Sequence, residues 1–139
     1  MGKRNMKKII PGLMGLLFIS SACRKSAERM DTLSGTYTGR FLRVSMAYQG
    51  PASVKIDFSG NSFDGEALDN NYPDICHGTY QIKGDSINFK NECVLPADFD
   101  WSLILSGKYR IYHVGDSLSI SRMYPGTVIY SDTYTLKKE

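Results

Sequence analysis

The chain has 139 residues, 42% of them hydrophobic, 12% aromatic and 22% charged. That is enough for one domain and too little for an enzyme built of two, and its apolar content excludes a disordered chain. The formal charge of +3 comes from 17 Lys and Arg against 14 Asp and Glu, and its distribution matters more than its sum.

Residues 1–8 carry Lys3, Arg4, Lys7 and Lys8; residues 9–19 are an apolar run; Ser20, Ser21, Ala22 and Cys23 follow. A basic stretch, a short apolar run and small residues make a secretory signal, and the run is too short for a lasting membrane span. The end of this segment resembles a bacterial lipobox, with Ser20 where Leu usually stands. Residues 1–22 are therefore expected to be a lipoprotein signal peptide and Cys23 the lipidated residue, with ordinary signal cleavage as the alternative. Four basic residues and no acidic ones lie in that segment. The chain from Cys23 onward then carries 13 basic against 14 acidic residues, a net charge of −1. No nucleic-acid footprint remains.

Cysteine usage agrees with export. There are three, Cys23, Cys76 and Cys93. With Cys23 taken by lipid, Cys76 and Cys93 are expected to pair as a disulfide. His77 adjoins Cys76, but no metal-binding spacing accompanies it, so no metal or cofactor is expected.

Residues 23–33 are polar and read as a tether, followed by a domain over 34–139. From Ser34 the apolar period is two. Tyr37 and Phe41 mark a first strand; Val54, Ile56 and Phe58 a second; Phe63, Gly65 and Ala67 a third. Gly60 and Asn61 signal the turn between the second and third. Residues 69–74 are a loop by composition, and Asp69, Asn70 and Asp74 supply oxygen ligands at a spacing that is not an EF-hand's. Gly-x-Tyr-x-Ile then occurs at 78–82 and again at 107–111. Each copy is followed by a Gly-Asp turn (Gly84-Asp85, Gly115-Asp116) and a return strand carrying Ile87 and Phe89, or Leu118 and Ile120. Between them, Trp101, Leu103 and Leu105 predict a further apolar strand with those three facing the core. The last strand runs over 127–137, with Val128, Tyr130, Tyr134 and Leu136 on one parity. The sum is an all-β fold, a single antiparallel up-and-down meander of about eight short strands. It closes into a barrel or splits into a sandwich, and closure is favoured because it removes open edges.

The opening Leu33-Ser34-Gly35-Thr36-Tyr37, the two Gly-x-Tyr-x-Ile hairpins and the closing Tyr134-Thr135-Leu136 resemble the small lipocalin-like lipoproteins of diderm bacteria over residues 33–137. The resemblance implies a lipocalin-like barrel. Lipocalins carry Gly-x-Trp where this chain has Gly35-Thr36-Tyr37, and no ligand is carried over.

Catalytic constellations are sparse. His77 and His113 are the only imidazoles, and no nucleophile elbow or phosphate loop occurs. Asp98 and Asp100 flank Phe99 in a loop, where a glycosidase would need two carboxylates across a cleft. The expectation is a non-enzymatic, membrane-anchored binding module of the cell envelope, on the periplasmic side of the outer membrane. Its partner is a small apolar or amphipathic ligand; the alternative is a protein, as in an envelope inhibitor of a foreign hydrolase. Tyr37, Tyr80, Tyr109, Tyr130 and Tyr134 sit at inward parity, and Phe99 and Trp101 sit on or beside the aromatic-acidic loop. These seven are the candidate contact residues.

Overall fold

The computed structural model describes residues 32–45, 49–69, 72–126 and 130–139. Eight strands follow one another: β1 (Gly35–Val44), β2 (Gln49–Ser59), β3 (Ser62–Ala67), β4 (Cys76–Lys83), β5 (Ser86–Asn91), β6 (Gly107–Val114), β7 (Ser117–Tyr124) and β8 (Tyr130–Lys138). Each pairs antiparallel with the next, and β8 pairs back onto β1, so the sheet is a closed eight-stranded barrel. The sandwich alternative is thereby excluded. The closing ladder runs from Tyr37 opposite Lys138 to Val44 opposite Ser131.

Period-two side chains explain both the strands and the core. Val54, Ile56 and Phe58 of β2 point inward and are buried, as are Ile87 and Phe89, Leu118 and Ile120, and Tyr134 and Leu136 on theirs. Alternate residues face water. Gly60, Gly84 and Gly115 hold positive φ at the hairpin turns, where a side chain would be strained. β2 carries one extra residue near Gly50 and Pro51, a bulge that shifts its register against β1 between Phe41 and Arg43.

The two ends of the barrel differ. The tight-turn end carries the three glycine turns and both ends of the described chain. Leu33, read from sequence as the last residue of the tether, is buried there. Its N–H donates to the Tyr80 hydroxyl (2.7 Å), which donates to the Gly60 carbonyl (2.6 Å). Among the described residues, the opposite, loop-rich end carries Ser45, 68–69, 72–75, 92–106 and 125–126.

The longest of these loops corrects one expectation. Residues 101–105 do not form a strand. Trp101–Leu103 is a single 3₁₀ turn, capped by the Asp100 carboxylate, which accepts from Ser102 N–H (3.0 Å). The chain then bonds to the segment just before β4, Asp74 N–H to the Leu103 carbonyl (3.2 Å) and Leu105 N–H to the Asp74 carbonyl (2.9 Å). Ile75, Ile104 and Leu105 are buried beneath the loop, whereas Trp101 is 57% exposed. The capping turn breaks the alternation that would have turned Trp101 inward. Residues 1–31, including the signal segment and Cys23, and residues 127–129, including Val128, lie outside the described residues.

Candidate functional site at the loop-rich end

The interior of the barrel is occupied by its own rings. Tyr37, Phe58, Tyr80, Phe89, Tyr109, Tyr134, Phe41 and Tyr72 form a continuous series, each centroid 4.7 to 6.3 Å from the next and most meeting edge to face. That is the favoured aromatic geometry. Four of the seven sequence candidates, Tyr37, Tyr80, Tyr109 and Tyr134, belong to this series and are buried. Burial holds the Tyr109 phenol up at about 12 and pushes that of Tyr134 well above its usual range. Tyr37 and Tyr80 lie at the tight-turn end of the series.

Above the rings sits a charged cluster that parity could have revealed and that sequence reasoning passed over. Arg43 shares the inward face of β1 with Tyr37 and Phe41, and Asp132 shares that of β8 with Tyr134 and Leu136. Both are buried, at 7% and 2% exposure. Arg43 donates to both carboxylate oxygens of Asp132, from Nε at 2.6 Å and from one terminal nitrogen at 2.7 Å. Its guanidinium also bonds the Ser102 hydroxyl (2.9 Å) and carbonyl (2.7 Å), fastening the 92–106 loop to the wall. The hydrogen bond to Asp132 raises the Arg43 pKa further. Tyr124 OH donates to the same carboxylate at 2.8 Å.

A second arginine completes the cluster. The Arg122 guanidinium lies 4.3 Å from the ring centroids of both Tyr109 and Tyr124, donates to the Ser106 carbonyl (2.8 Å) and bonds the Tyr124 hydroxyl. Its distance to Asp132 is 3.9 Å. Two cations thus share one carboxylate. Tyr130, another sequence candidate, is half-buried and stacks on Tyr124 with centroids 4.1 Å apart, while Arg43 lies 5.3 Å from its ring. Among the described residues, the buried Nε of Arg122 and hydroxyl of Tyr72 have no hydrogen-bond partner.

Around this cluster the surface is apolar and acidic, with Asp69, Glu92, Asp98 and Asp100 exposed. Val44, Leu68, Val94, Trp101 and Met123 are exposed, and all five lie at the loop-rich end. Phe99 is half-buried beside Pro73 and Asp74. Pairing of β6 with β7 begins only at Arg110 opposite Ser121. Where the strands part, the outer wall holds a hollow of about 480 Å³ lined by Ser86, Lys108, Tyr109, Arg110, Ser121, Arg122 and Met123.

The expected Cys76–Cys93 disulfide is present, with Cα atoms 6.3 Å apart. His77 and His113 are not brought together: one opens β4 at the loop-rich end, the other closes β6 at the tight-turn end. The Asp69 carboxylate accepts from Ser53 N–H (2.9 Å), and Asn70 lies outside the described residues. No family model, curated protein or solved structure matches the chain.

Proposed function

We propose that this chain is a non-enzymatic lipoprotein of the bacterial cell envelope, whose barrel is a binding module that engages a protein partner through its loop-rich end. The observation that carries the reading is the filled interior. A calyx for a small apolar ligand needs empty volume between its walls. Here the ring series and the Arg43–Asp132 pair occupy that volume. Of the seven exposed large apolar side chains among the described residues, five lie at the loop-rich end, Trp101 among them, and Tyr112 and Val114 lie on β6. Exposed aromatic and apolar loop residues on a rigid scaffold are the usual stuff of recognition.

The anchor orients this surface. The described chain begins at Thr32, at the tight-turn end. A lipid on Cys23 places that end towards the bilayer, tethered by residues that span at most about 30 Å. The loop-rich end then faces away from the membrane, where a partner reaches it. The basic segment, apolar run and lipobox-like ending support the anchor, and the resemblance to lipocalin-like lipoproteins supports the envelope setting.

A second reading, a small amphipathic anion, is favoured by the hollow beside Arg122, with Lys108 and Arg110 on its rim. Native mass spectrometry of the chain from Arg24, purified without detergent, separates the two. A reproducible added mass lost on denaturation selects the small ligand. For the protein partner, a photo-crosslinking residue at position 101 is expected to capture one defined protein. The same residue at Tyr112, exposed on the outer wall, is expected to capture none. Equal capture at both positions refutes the proposed surface. Globomycin-sensitive processing, abolished by Cys23→Ser, tests the anchor.

A further inference from the structure

Neighbouring residues of a regular strand point to opposite faces of the sheet. At the start of β4, Cys76 and His77 do not. Among the described residues Cys76 is the one non-glycine with a left-handed backbone, at φ 52°. The turn brings the His77 ring over the disulfide, with Nδ1 3.5 Å from the Cys76 sulfur and 3.3 Å from the Cys93 sulfur. The backbone N–H of His77 also donates to the Cys93 sulfur at 3.3 Å. Such a donor favours the thiolate over the thiol once the bond is reduced. The three donor atoms lie within 4.8 Å of one another at the surface, with His77 exposed and both cysteines half-buried.

These separations are close to those of a bound metal. Tetrahedral zinc with sulfur at about 2.3 Å and imidazole nitrogen at about 2.0–2.1 Å sets those two ligands about 3.6 Å apart. The two sulfur–nitrogen distances, 3.5 and 3.3 Å, are already near that figure. Only the sulfurs must separate, from the about 2.0 Å of any disulfide to about 3.8 Å between two thiolates on one zinc. Cys93 lies beyond the end of β5, outside the ladder, so rotation of its side chain disturbs no strand pairing.

We propose that Cys76, Cys93 and His77 form a redox-gated site for a soft or borderline d10 cation of the zinc class, closed in the disulfide form and open in the dithiol form. A dithiol reductant opens it. One of its thiolates attacks the sulfur–sulfur bond, its second displaces the resulting mixed disulfide, and it leaves as its own disulfide. The chain gains two electrons and two protons as two cysteine thiols. Metal binding then releases both thiol protons to solvent, and neutral His77 supplies the Nδ1 lone pair. Three protein ligands leave the fourth tetrahedral position to water. Thiolate and imidazole donors suit zinc or Cu(I), not calcium or magnesium.

The test uses the full chain in detergent, with free thiols alkylated before reduction so that only the disulfide contributes. Excess dithiol is removed anaerobically, and Zn²⁺ alone is titrated against a chromophoric competitor. The oxidised chain is expected to take none and the reduced chain one equivalent, with the sheet signal in circular dichroism unchanged. His77 is exposed, so His77→Phe tests the ligand without touching the core. It is expected to weaken zinc binding about tenfold or more, a loss that even partners behind the ligands can cause. Cys93→Ser, with its lone Cys76 thiol left unalkylated, is expected to diminish the thiolate-to-cobalt charge-transfer bands seen when Co²⁺ replaces Zn²⁺. The proposal is overturned by a reduced chain that binds no zinc or loses its sheet signal first. Undiminished binding in His77→Phe, or unchanged bands in Cys93→Ser, overturns it equally.

Discussion

Replacing Asp132 by asparagine keeps the shape of the side chain and removes one charge from the core. Asp132 is 2% exposed and accepts from Arg43 at 2.6 and 2.7 Å and from Tyr124 at 2.8 Å. Without the carboxylate, Arg43 remains as a buried cation with Arg122 close by and only the exposed Asp100 carboxylate within its field. Breaking a buried pair from one side costs about 3–5 kcal/mol. A domain of this size has only about 5–15 kcal/mol in total. With a urea slope of about 2 kcal/mol per molar, the unfolding midpoint is expected to fall by about 2 M. Removing both charges together, Arg43→Met with Asp132→Leu, leaves no orphaned ion, and apolar replacement of a whole pair is often neutral or better. The double variant is therefore expected to be more stable than Asp132→Asn alone. Urea melts of the two variants, with the slope checked for constancy, decide the matter. A loss under about 1 kcal/mol for Asp132→Asn refutes the reasoning, since that is the range of a solvated surface pair. A double variant no better than the single one refutes it equally.

Three further outcomes follow from other parts of the fold. Gly39→Ala puts a Cβ into the Thr135 carbonyl across the β1–β8 seam, whereas Gly50→Ala meets nothing. Thermal melts are expected to show a loss of about 1–3 kcal/mol for the first and little change for the second, and equal effects sink the close-approach account. Burial lifts the phenols of Tyr37, Tyr72, Tyr80, Tyr109 and Tyr134, that of Tyr109 to about 12. A pKa raised by folding means stability intact below about pH 10 and lost as pH climbs towards 12, so tyrosinate absorbance should rise together with unfolding. Ionisation of these phenols at pH 10 in an intact barrel would contradict that. The single tryptophan, Trp101, is expected to be readily quenched by iodide in the folded chain, and Trp101→Ala to shift stability by under about 0.5 kcal/mol. A shielded tryptophan would return it to the core.

The strands were legible because burial on one face writes a period of two, as Val54, Ile56 and Phe58 show. The hairpins were legible because positive φ at Gly60, Gly84 and Gly115 selects glycine. The disulfide followed from counting cysteines. What failed was local ambiguity and long-range pairing. The run from Trp101 to Leu105 alternates like a strand, yet Asp100 caps a turn and the bonds to Asp74 lie nearly thirty residues upstream in the chain. Arg43 and Asp132 stand at inward parity, but charged residues are normally assigned to water. Only the partner, 89 residues distant, makes their burial tolerable. The site thus rests on a pair that parity places inward but that only the long-range contact explains.

That distance also sets the order of assembly. β1 has two neighbours in the finished barrel, and one of them is β8, the last strand of eight. Until β8 arrives, the growing sheet has two raw edges, the arrangement most open to pairing with another chain. Contacts this remote are slow to form, because a long loop must close before they are rewarded. A chain in which only β1 through β6 have paired is therefore a curved ribbon rather than a barrel, with Arg43 still in water. The last strand to pair, not the first, decides when this protein acquires an inside.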